Sequence, residues 1–174
     1  MSKKLSGKIA LVTGGSTGIS LAAARALAEQ GARVYITGRR REELDAAVAE
    51  IGTAATGIRA DASALSDLDT VFSTIASESG RLDILFANAG GGDMMPLGAI
   101  TEEHFDRIFG TNVRGVLFTV QKALPLLSNG ASVILTGSTA AVKGTANFSV
   151  YSASKAAVRS LVRSWAMDLK DRGV

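Results

Sequence analysis

Two residues of this 174-residue chain, Tyr151 and Lys155, have the types and the spacing for acid–base chemistry. Residues four apart lie on the same face of a helix, so both side chains would project together. A free tyrosine is too weak an acid for proton transfer at neutral pH, and a neighbouring ammonium favours its phenolate. Taken alone, an accidental pair on a solvated helix face is the simpler interpretation, so other motifs must support the chemical one.

A glycine-rich turn at residues 13–19 (TGGSTGI) separates the first apolar run from the first helical stretch. Glycines allow a tight turn and the close approach of a pyrophosphate, and a helix N-terminus supplies N–H donors and a favourable dipole. An ordinary strand–helix turn is the alternative, but the position after the first buried strand favours a dinucleotide. The residues expected to contact it are Gly14, Ser16, Thr17, Gly18 and Ile19.

Polar residues also follow two later apolar runs. Asn88-Ala89-Gly90 comes after residues 82–87, and Ser138 comes after residues 132–136. In open α/β sheets, ligands bind outside the carboxyl ends of the strands. Asn112 begins a long apolar stretch, where a helix N-cap is its ordinary structural explanation. A simple turn is the corresponding explanation for Asn88.

Buried runs alternate with helical patterns along the whole chain. Strands are predicted at residues 8–13, 33–37, 57–60, 82–87 and 132–136. Helices are predicted at 19–30, 41–51, 65–79, 112–127 and 151–170, with another that begins after Thr101 as N-cap. This alternation predicts an α/β fold, a doubly wound Rossmann-type parallel sheet with helices on both faces.

Composition excludes several classes of function. The chain has no cysteine and one histidine, His104, so no metal site is expected, and His104 is predicted to be a solvated residue of a surface helix. The net charge of +3 comes from dispersed basic residues, so no nucleic-acid partner is expected. Neither a signal peptide nor a membrane-spanning run is evident, which predicts a cytoplasmic protein with no membrane partner.

The order and spacing of these motifs resemble the classical short-chain dehydrogenase/reductase family over essentially the whole chain. The matching positions are Thr13-Gly14-x-x-x-Gly18-Ile19, Asp61, Asn88-Ala89-Gly90, Asn112, Ser138 and Tyr151-x-x-x-Lys155. Each motif is weak alone, whereas the combination is specific. The resemblance implies an oxidoreductase that transfers a hydride between NADP(H) or NAD(H) and a secondary alcohol or ketone.

The resemblance also implies catalytic roles. Tyr151 would be the general acid/base, and Lys155 would favour its phenolate and hydrogen-bond the nicotinamide ribose. Ser138 would polarise the substrate oxygen, and Asn112 would hold a water in a proton relay from Lys155.

Binding roles follow from the same resemblance. Asp61 would contact the adenine amino group, while Asn88, Ala89 and Gly90 would support the sheet and the adenosine side of the cofactor. The resemblance also implies a homodimer or homotetramer, with the apolar stretch at 112–127 as an interface between subunits.

The chain departs from the family pattern at two places. Ser20 stands where the phosphate loop usually has a third glycine that allows close helix–strand packing. We therefore expect mild crowding there and tighter cofactor binding in a Ser20→Gly variant. The family also has seven strands, of which five are expected in residues 1–174, so these residues would form a single dinucleotide-binding domain that is incomplete at its C-terminus.

The end of the second strand indicates the cofactor. An NAD-selective site has an acidic residue there, whereas this chain has Gly38-Arg39 and no acid before Glu42. Gly38 leaves room for a 2′-phosphate, and the Arg39 guanidinium suits it. NADP is therefore the preferred cofactor. NAD stays possible, because Thr17 occupies the position before Gly18 where many NADP enzymes have a second basic residue.

Other functions stay open at this point. A non-catalytic dinucleotide-binding protein would need none of Ser138, Tyr151 and Lys155. A sugar-nucleotide epimerase or dehydratase would have a shorter glycine spacing in a longer chain, and a methyltransferase would lack the Tyr/Lys pair. The identity of the substrate, a small-molecule carbonyl or alcohol, cannot be read from these residues.

Overall fold

The computed structural model describes residues 3–174 and contains five strands, all parallel, in one sheet. The strands are β1 (Ile9–Thr13), β2 (Arg33–Gly38), β3 (Ala55–Arg59), β4 (Leu82–Ala87) and β5 (Leu127–Leu135). The helices are α1 (Gly18–Glu29), α2 (Arg41–Ile51), α3 (Leu65–Ser79), α4 (Glu102–Phe109), α5 (Val116–Ala123) and α6 (Ser149–Asp168). The predicted Rossmann-type α/β fold with five strands is therefore confirmed.

The sheet separates two apolar cores because successive residues of a strand face opposite sides. On one side, Ala10 and Val12 of β1 pack with α1 and α2 through small and branched residues such as Ala24 and Leu44. On the other side, Leu11 packs with α3, α5 and the neighbouring strands. Both faces of β1, β2 and β4 are covered, which is why these three strands are nearly continuous apolar runs.

The strand order β3-β2-β1-β4-β5 places a topological switch point beside β1. β1 pairs with β2 on one side and with β4 on the other, with Val12 opposite both Ile36 and Phe86. The loops that leave β1 and β4 therefore separate from each other, and the crevice between them is where ligands bind in such sheets.

Three elements have the predicted bounds: α2, α3 and β4. The helix predicted at residues 112–127 is only partly correct, because its α-helical part is α5, Val116–Ala123. A π-helical segment occupies Gly110–Gly115, α5 ends at Ala123, and Leu127 already belongs to β5. The chain joins the sheet at this point, where the N–H of Leu82 donates to the carbonyl of Leu126 at 2.7 Å.

The surface prediction for His104 is wrong. Thr101 caps α4 as predicted, with its hydroxyl accepting the N–H of His104. The His104 residue is 2% exposed, and its Nδ1 lies 3.5 Å from Nη2 of Arg107. The acidic neighbours Glu102 and Glu103 suggested a solvated turn, but α4 also has a buried face, which includes His104 and Ile108.

Asp83 connects the starts of β4 and β1 inside the sheet. The residue is 7% exposed, and its carboxylate accepts the N–H of Ile9 at 2.9 Å and ion pairs from Lys8 and Arg81 at 3.3 Å. Burial opposes the charged form, but the Ile9 hydrogen bond and the two cations outweigh it and hold the pKa of Asp83 below its ordinary value. The charged carboxylate is therefore the stabilising form.

We expect Asp83→Asn to lower the free energy of unfolding at pH 7 by about 1–3 kcal/mol, because a buried charged hydrogen-bond network loses its anion. Because the pKa of Asp83 is lower in the folded protein, its charged carboxylate stabilises the fold at pH values above the ordinary aspartate pKa of about 3.9. This contribution is lost as the pH falls through the lowered pKa. Chemical denaturation at several pH values measures both effects.

The exposed pair of Arg41 and Asp45 supplies the control. Asp45→Asn makes the same chemical change and should alter stability by less than about 0.5 kcal/mol. Equal stability of Asp83→Asn and the wild type at pH 7 would contradict the stabilising role of this carboxylate.

Candidate active site

The turn between β1 and α1 needs glycine at two of its positions. Gly14 and Gly18 have φ angles of 67° and 58°, in the left-handed region that side chains rarely adopt. A Cβ on Gly15 would lie 2.8 Å from the side chain of Ile36. Within residues 3–174, the side chain of Thr17 forms no cap on α1, so the first-turn N–H groups remain for an anion.

A cleft of about 360 Å³ lies at the carboxyl ends of β1, β2 and β4. This volume is in the range of small-molecule and cofactor sites. Nine of the residues predicted from the sequence line it: Gly14, Ser16, Thr17, Arg39, Asp61, Asn88, Ala89, Gly90 and Asn112. Gly18 and Ile19 do not line it, and Ile19 is 73% exposed beside the turn. Ser138, Tyr151 and Lys155 are not among its lining residues.

The β2 end of the cleft carries the basic residues. Gly38 is buried, and a Cβ there would lie 2.8 Å from Oγ of Ser16, so the absence of a side chain lets β2 and the phosphate loop meet. Arg39 follows with its side chain 73% exposed and one guanidinium nitrogen 4.0 Å from Asp61. The Arg39 carbonyl accepts Nε of Arg59 at 3.1 Å, which holds its backbone in place.

Asp61 is fixed by its own turn. Its Oδ1 accepts the N–H and the hydroxyl of Ser63 at 2.9 and 2.7 Å, and its backbone N–H donates to Asp67 at 2.8 Å. Its other oxygen faces Arg39. The carboxylate therefore stands at the β3 side of the cleft in a single orientation, available to a hydrogen-bond donor such as an amino group.

Asn88 lies at the centre of a hydrogen-bond cluster at the ends of β1, β4 and β5. The N–H groups of Asn88 and Ala89 both donate to Oγ1 of Thr13 at 3.1 Å. The Asn88 amide donates to the hydroxyl of Ser20 and accepts the hydroxyl of Thr136. The crowding expected at Ser20 is thus replaced by a hydrogen bond, and its side chain is buried at 1% exposure.

Asn112 clamps the loop that follows β4. Its Oδ1 accepts the N–H of Gly91 at 3.0 Å, while its Nδ2 donates to the Gly91 carbonyl at 2.8 Å and to Oγ of Ser154 at 2.9 Å. Asn112 is thus inside the π-helical segment, not at a helix N-cap. The Ser154 hydroxyl donates in turn to the Tyr151 carbonyl at 2.7 Å, which links this loop to α6.

Tyr151 and Lys155 lie on the same side of α6, with Nζ of Lys155 5.8 Å from the centre of the Tyr151 ring. Lys155 is 5% exposed, and its ammonium donates to the Thr136 carbonyl at 2.9 Å. Burial of this cation lowers the pKa of Lys155. Phe148 stacks on the Tyr151 ring with 4.4 Å between centroids, so the ring is held from one side.

Gly92 connects the cleft with Tyr151. It lines the cleft, and a Cβ at this position would lie 2.7 Å from Cγ of the Tyr151 ring, well inside contact distance. The backbone of the loop therefore rests directly on the ring. Across the cleft mouth, Asp93 of the same loop pairs with Arg107 of α4.

Ser138 begins the 3₁₀ turn Thr139–Ala141, which packs against α6. Its Oγ accepts the N–H of Ala140 at 3.1 Å. Because the oxygen acts as an acceptor there, the hydroxyl hydrogen is the part of Ser138 that can be offered to a substrate oxygen.

The chain is similar to known oxidoreductases. A family model for short chain dehydrogenase matches residues 8–174. Oxidoreductase asL5 of Sarocladium schorii is 49% identical over 174 residues, covering 99% of this chain and 70% of that protein. Galactitol 2-dehydrogenase of Agrobacterium fabrum is 36% identical over 174 residues, covering 98% of this chain and 68% of that protein.

A solved structure agrees with these relatives. A short chain dehydrogenase from Burkholderia cenocepacia in complex with NADP has a TM-score of 0.93 and 39% identity, covering 98% of this chain and 71% of that chain. The chain therefore belongs to the short-chain dehydrogenase/reductase family, as the motifs predicted, and it is an oxidoreductase. It spans about 70% of the length of the relatives it matches. Within residues 3–174, no helix is long and apolar enough to cross a membrane.

Sequence reasoning missed three residues of this site: Gly92, Thr136 and Ser154. Gly92 is the third glycine of the run that follows Asn88 and Ala89, and a run of glycines indicates that backbone must come close to something. Thr136 ends an apolar run in the same way as Thr13, which is a usable signal. Ser154 carries no local signal, since its partner Asn112 is 42 residues away.

We expect Gly92→Ala to lower kcat/KM by about tenfold or more, because the added methyl group must displace either the loop or the Tyr151 ring. Steady-state kinetics measures this loss, and cofactor titration by fluorescence tests whether binding is largely retained. Gly98→Ala is the matched control, since nothing lies within 4 Å of a Cβ at that position. Normal turnover of Gly92→Ala would show that the loop adjusts without moving the ring.

Proposed function

We propose that the protein interconverts a secondary alcohol and a ketone with NADP(H) or NAD(H), and that Tyr151 is its general acid/base. The observation that carries this proposal is the buried ammonium of Lys155 beside the Tyr151 ring, which packs against Gly92 in the lining of the cleft. Membership in the dehydrogenase family supports the reaction type. The 36% identity to galactitol 2-dehydrogenase supports a small-molecule alcohol as substrate.

The residues of the cleft fit a dinucleotide. The β1–α1 turn has no side chain at Gly14 and Gly18, so a pyrophosphate can come close to the uncapped first-turn N–H groups of α1. At the β3 side of the cleft, the carboxylate of Asp61 is oriented to accept a hydrogen bond from an amino group. Asn88 and Ala89 form part of the cleft wall. When bound, the cofactor supplies or accepts the hydride.

The chain's own residues handle the proton. For reduction, the Tyr151 hydroxyl gives its proton to the carbonyl oxygen of the substrate, and for oxidation the phenolate takes the proton from the alcohol. The Lys155 ammonium stabilises negative charge on the Tyr151 oxygen. The Ser138 hydroxyl donates to the same substrate oxygen, which orients it and increases the polarisation of the carbonyl. Asn112 holds the Gly91 loop and, in this proposal, the water that relays protons to Lys155.

The preferred cofactor in this proposal is NADP(H). No acidic side chain stands at the end of β2, where a carboxylate would bind the ribose hydroxyls and repel a 2′-phosphate. Gly38 has no side chain that could place a carboxylate there, since the Ser16 side chain fills that space, and Arg39 places an exposed guanidinium at the cleft. The contact between Arg39 and Asp61 is long, 4.0 Å, so the guanidinium can turn to a phosphate without losing a tight ion pair. NAD(H) stays a possible second cofactor.

Three further expectations remain sequence-based predictions. They are a single dinucleotide-binding domain, a homodimer or homotetramer, and a cytoplasmic location. The identity of the alcohol or ketone is not part of the proposal.

We expect Tyr151→Phe to lower kcat by at least about a hundredfold, because it removes the proton donor while keeping the ring. Cofactor binding should survive, whereas Lys155→Ala should impair both turnover and binding. Steady-state kinetics and isothermal titration calorimetry with NADPH measure the two effects.

The second tyrosine of the chain is the control. Tyr35 donates to Glu78 and contacts Ser79 at the end of α3, and it does not line the cleft, so Tyr35→Phe should keep its kcat. Near-normal turnover of Tyr151→Phe on a substrate that the wild type uses would refute the assignment of Tyr151.

We expect Arg39→Ala to reduce the preference for NADP(H) over NAD(H) by about ten- to a hundredfold, which corresponds to the loss of one charged hydrogen bond. The efficiency with NAD(H) should be unchanged. Values of kcat/KM with both cofactors measure this preference.

Arg41→Ala is the matched control, because Arg41 pairs with Asp45 along α2 and does not line the cleft. Equal or better efficiency of the wild-type enzyme with NAD(H) would overturn the proposed preference.

A further inference from the structure

The phosphate loop and the catalytic lysine are joined by a continuous chain of hydrogen bonds. Ser20, in the first turns of α1, accepts a hydrogen bond from the amide of Asn88. The hydroxyl of Thr136 donates to the other end of that amide. The carbonyl of the same Thr136 accepts the ammonium of Lys155 at 2.9 Å. The residue at each step is therefore held by the next.

The buried hydroxyl of Ser20 bonds the amide of Asn88. The residue is 1% exposed, so its hydroxyl is not presented to a ligand although the residue lies in the inner wall of the cleft. A buried hydroxyl must be paired, and here the partner is Asn88. The amide of Asn88 has one donor end and one acceptor end engaged, which fixes its orientation.

The acceptor of Lys155 is a backbone carbonyl, so its position depends on how the end of β5 is held. Thr136 follows the last residue of β5, where the ladder with β4 has ended at the pair of Ala87 and Leu135. The Thr136 hydroxyl takes over from the ladder by bonding to Asn88, which itself follows the end of β4. Loss of either side-chain bond releases the carbonyl that receives the ammonium.

We propose that Ser20 is a positioning residue for the reaction, which acts through Asn88 and Thr136 on the position of the Lys155 ammonium. The proposal rests on the proposed role of Tyr151 and Lys155. The residue that replaces the expected third glycine of the phosphate loop then connects the cofactor side of the site to the proton-transfer side. Removing its hydroxyl frees one end of the Asn88 amide, and the effect travels to the lysine.

The first test is Ser20→Ala, which removes the hydroxyl and keeps a side chain. We expect kcat to fall by about tenfold, as for loss of one partner of a buried hydrogen bond. The Kd for NADPH should stay within about threefold of the wild type, since the Ser20 hydroxyl is not offered to the ligand. Ser73→Ala is the control, because it removes a hydroxyl from an exposed turn of α3.

The second test uses Thr136, whose carbonyl is kept in every variant. Thr136→Val removes the hydroxyl at nearly constant shape and should lower kcat as Ser20→Ala does. Thr136→Ser keeps the hydroxyl and should restore kcat to within about threefold of the wild type. If Ser20→Ala does not fold, as judged by thermal unfolding, this valine and serine pair decides the question alone.

The third test is the double variant Ser20→Ala/Thr136→Val. Two bonds in one chain give a combined loss in kcat smaller than the product of the single losses, whereas independent effects multiply. Wild-type kcat in Ser20→Ala, no difference between the valine and serine variants of Thr136, or a multiplicative double variant would each overturn the proposal. Retained turnover of Tyr151→Phe would instead refute the proposed function, so the two failures are distinguishable.

Discussion

The position of β1 between β2 and β4 is the constraint on which the site depends. After β3 the chain crosses to the other side of β1 and forms β4, so the loops that follow β1 and β4 leave the sheet in different directions. The two loops are still close at their bases, where a Cβ on Gly14 would lie 3.2 Å from Cα of Ala89. Both residues also line the cleft, so the close approach of the two loops forms part of its wall.

Burial of the Lys155 ammonium costs free energy, because the cation loses its hydration. Among the described residues, no carboxylate lies within 4.0 Å of the Lys155 ammonium, which is held by the Thr136 carbonyl instead. Burial then lowers the pKa of Lys155, because the charged form lacks a full counter-charge. In the proposed function, negative charge on the oxygen of Tyr151 supplies that counter-charge. Under that proposal, the desolvation that destabilises the charged lysine in the resting protein favours proton transfer by the tyrosine.

Local patterns were sufficient wherever an element is determined by its own sequence. The bounds of α2, α3 and β4 follow from apolar spacing and from the glycines at residues 52 and 80. The π-helical segment Gly110–Gly115 was not predictable in this way, because its Asn112 bonds Gly91 and Ser154, which are distant in sequence. Burial of His104 likewise depends on which face of α4 the rest of the fold covers, and the charged residues around it conceal that face.

The candidate site was predictable in its members but not in its connections. Topology alone brings the residues after β1, β4 and β5 together, whereas the bonds of Asn88 to Ser20 and Thr136 span 68 and 48 residues. One regularity could have indicated them. Thr13, Thr37 and Thr136 each lie at or next to the end of an apolar strand. The hydroxyls of Thr13 and Thr37 accept backbone N–H groups of the loops after β4 and β1, and the hydroxyl of Thr136 donates to the side chain of Asn88. A β-branched side chain suits the strand, and its hydroxyl suits the loop, so threonine at a strand end indicates both where the sheet stops and where the next loop is fixed.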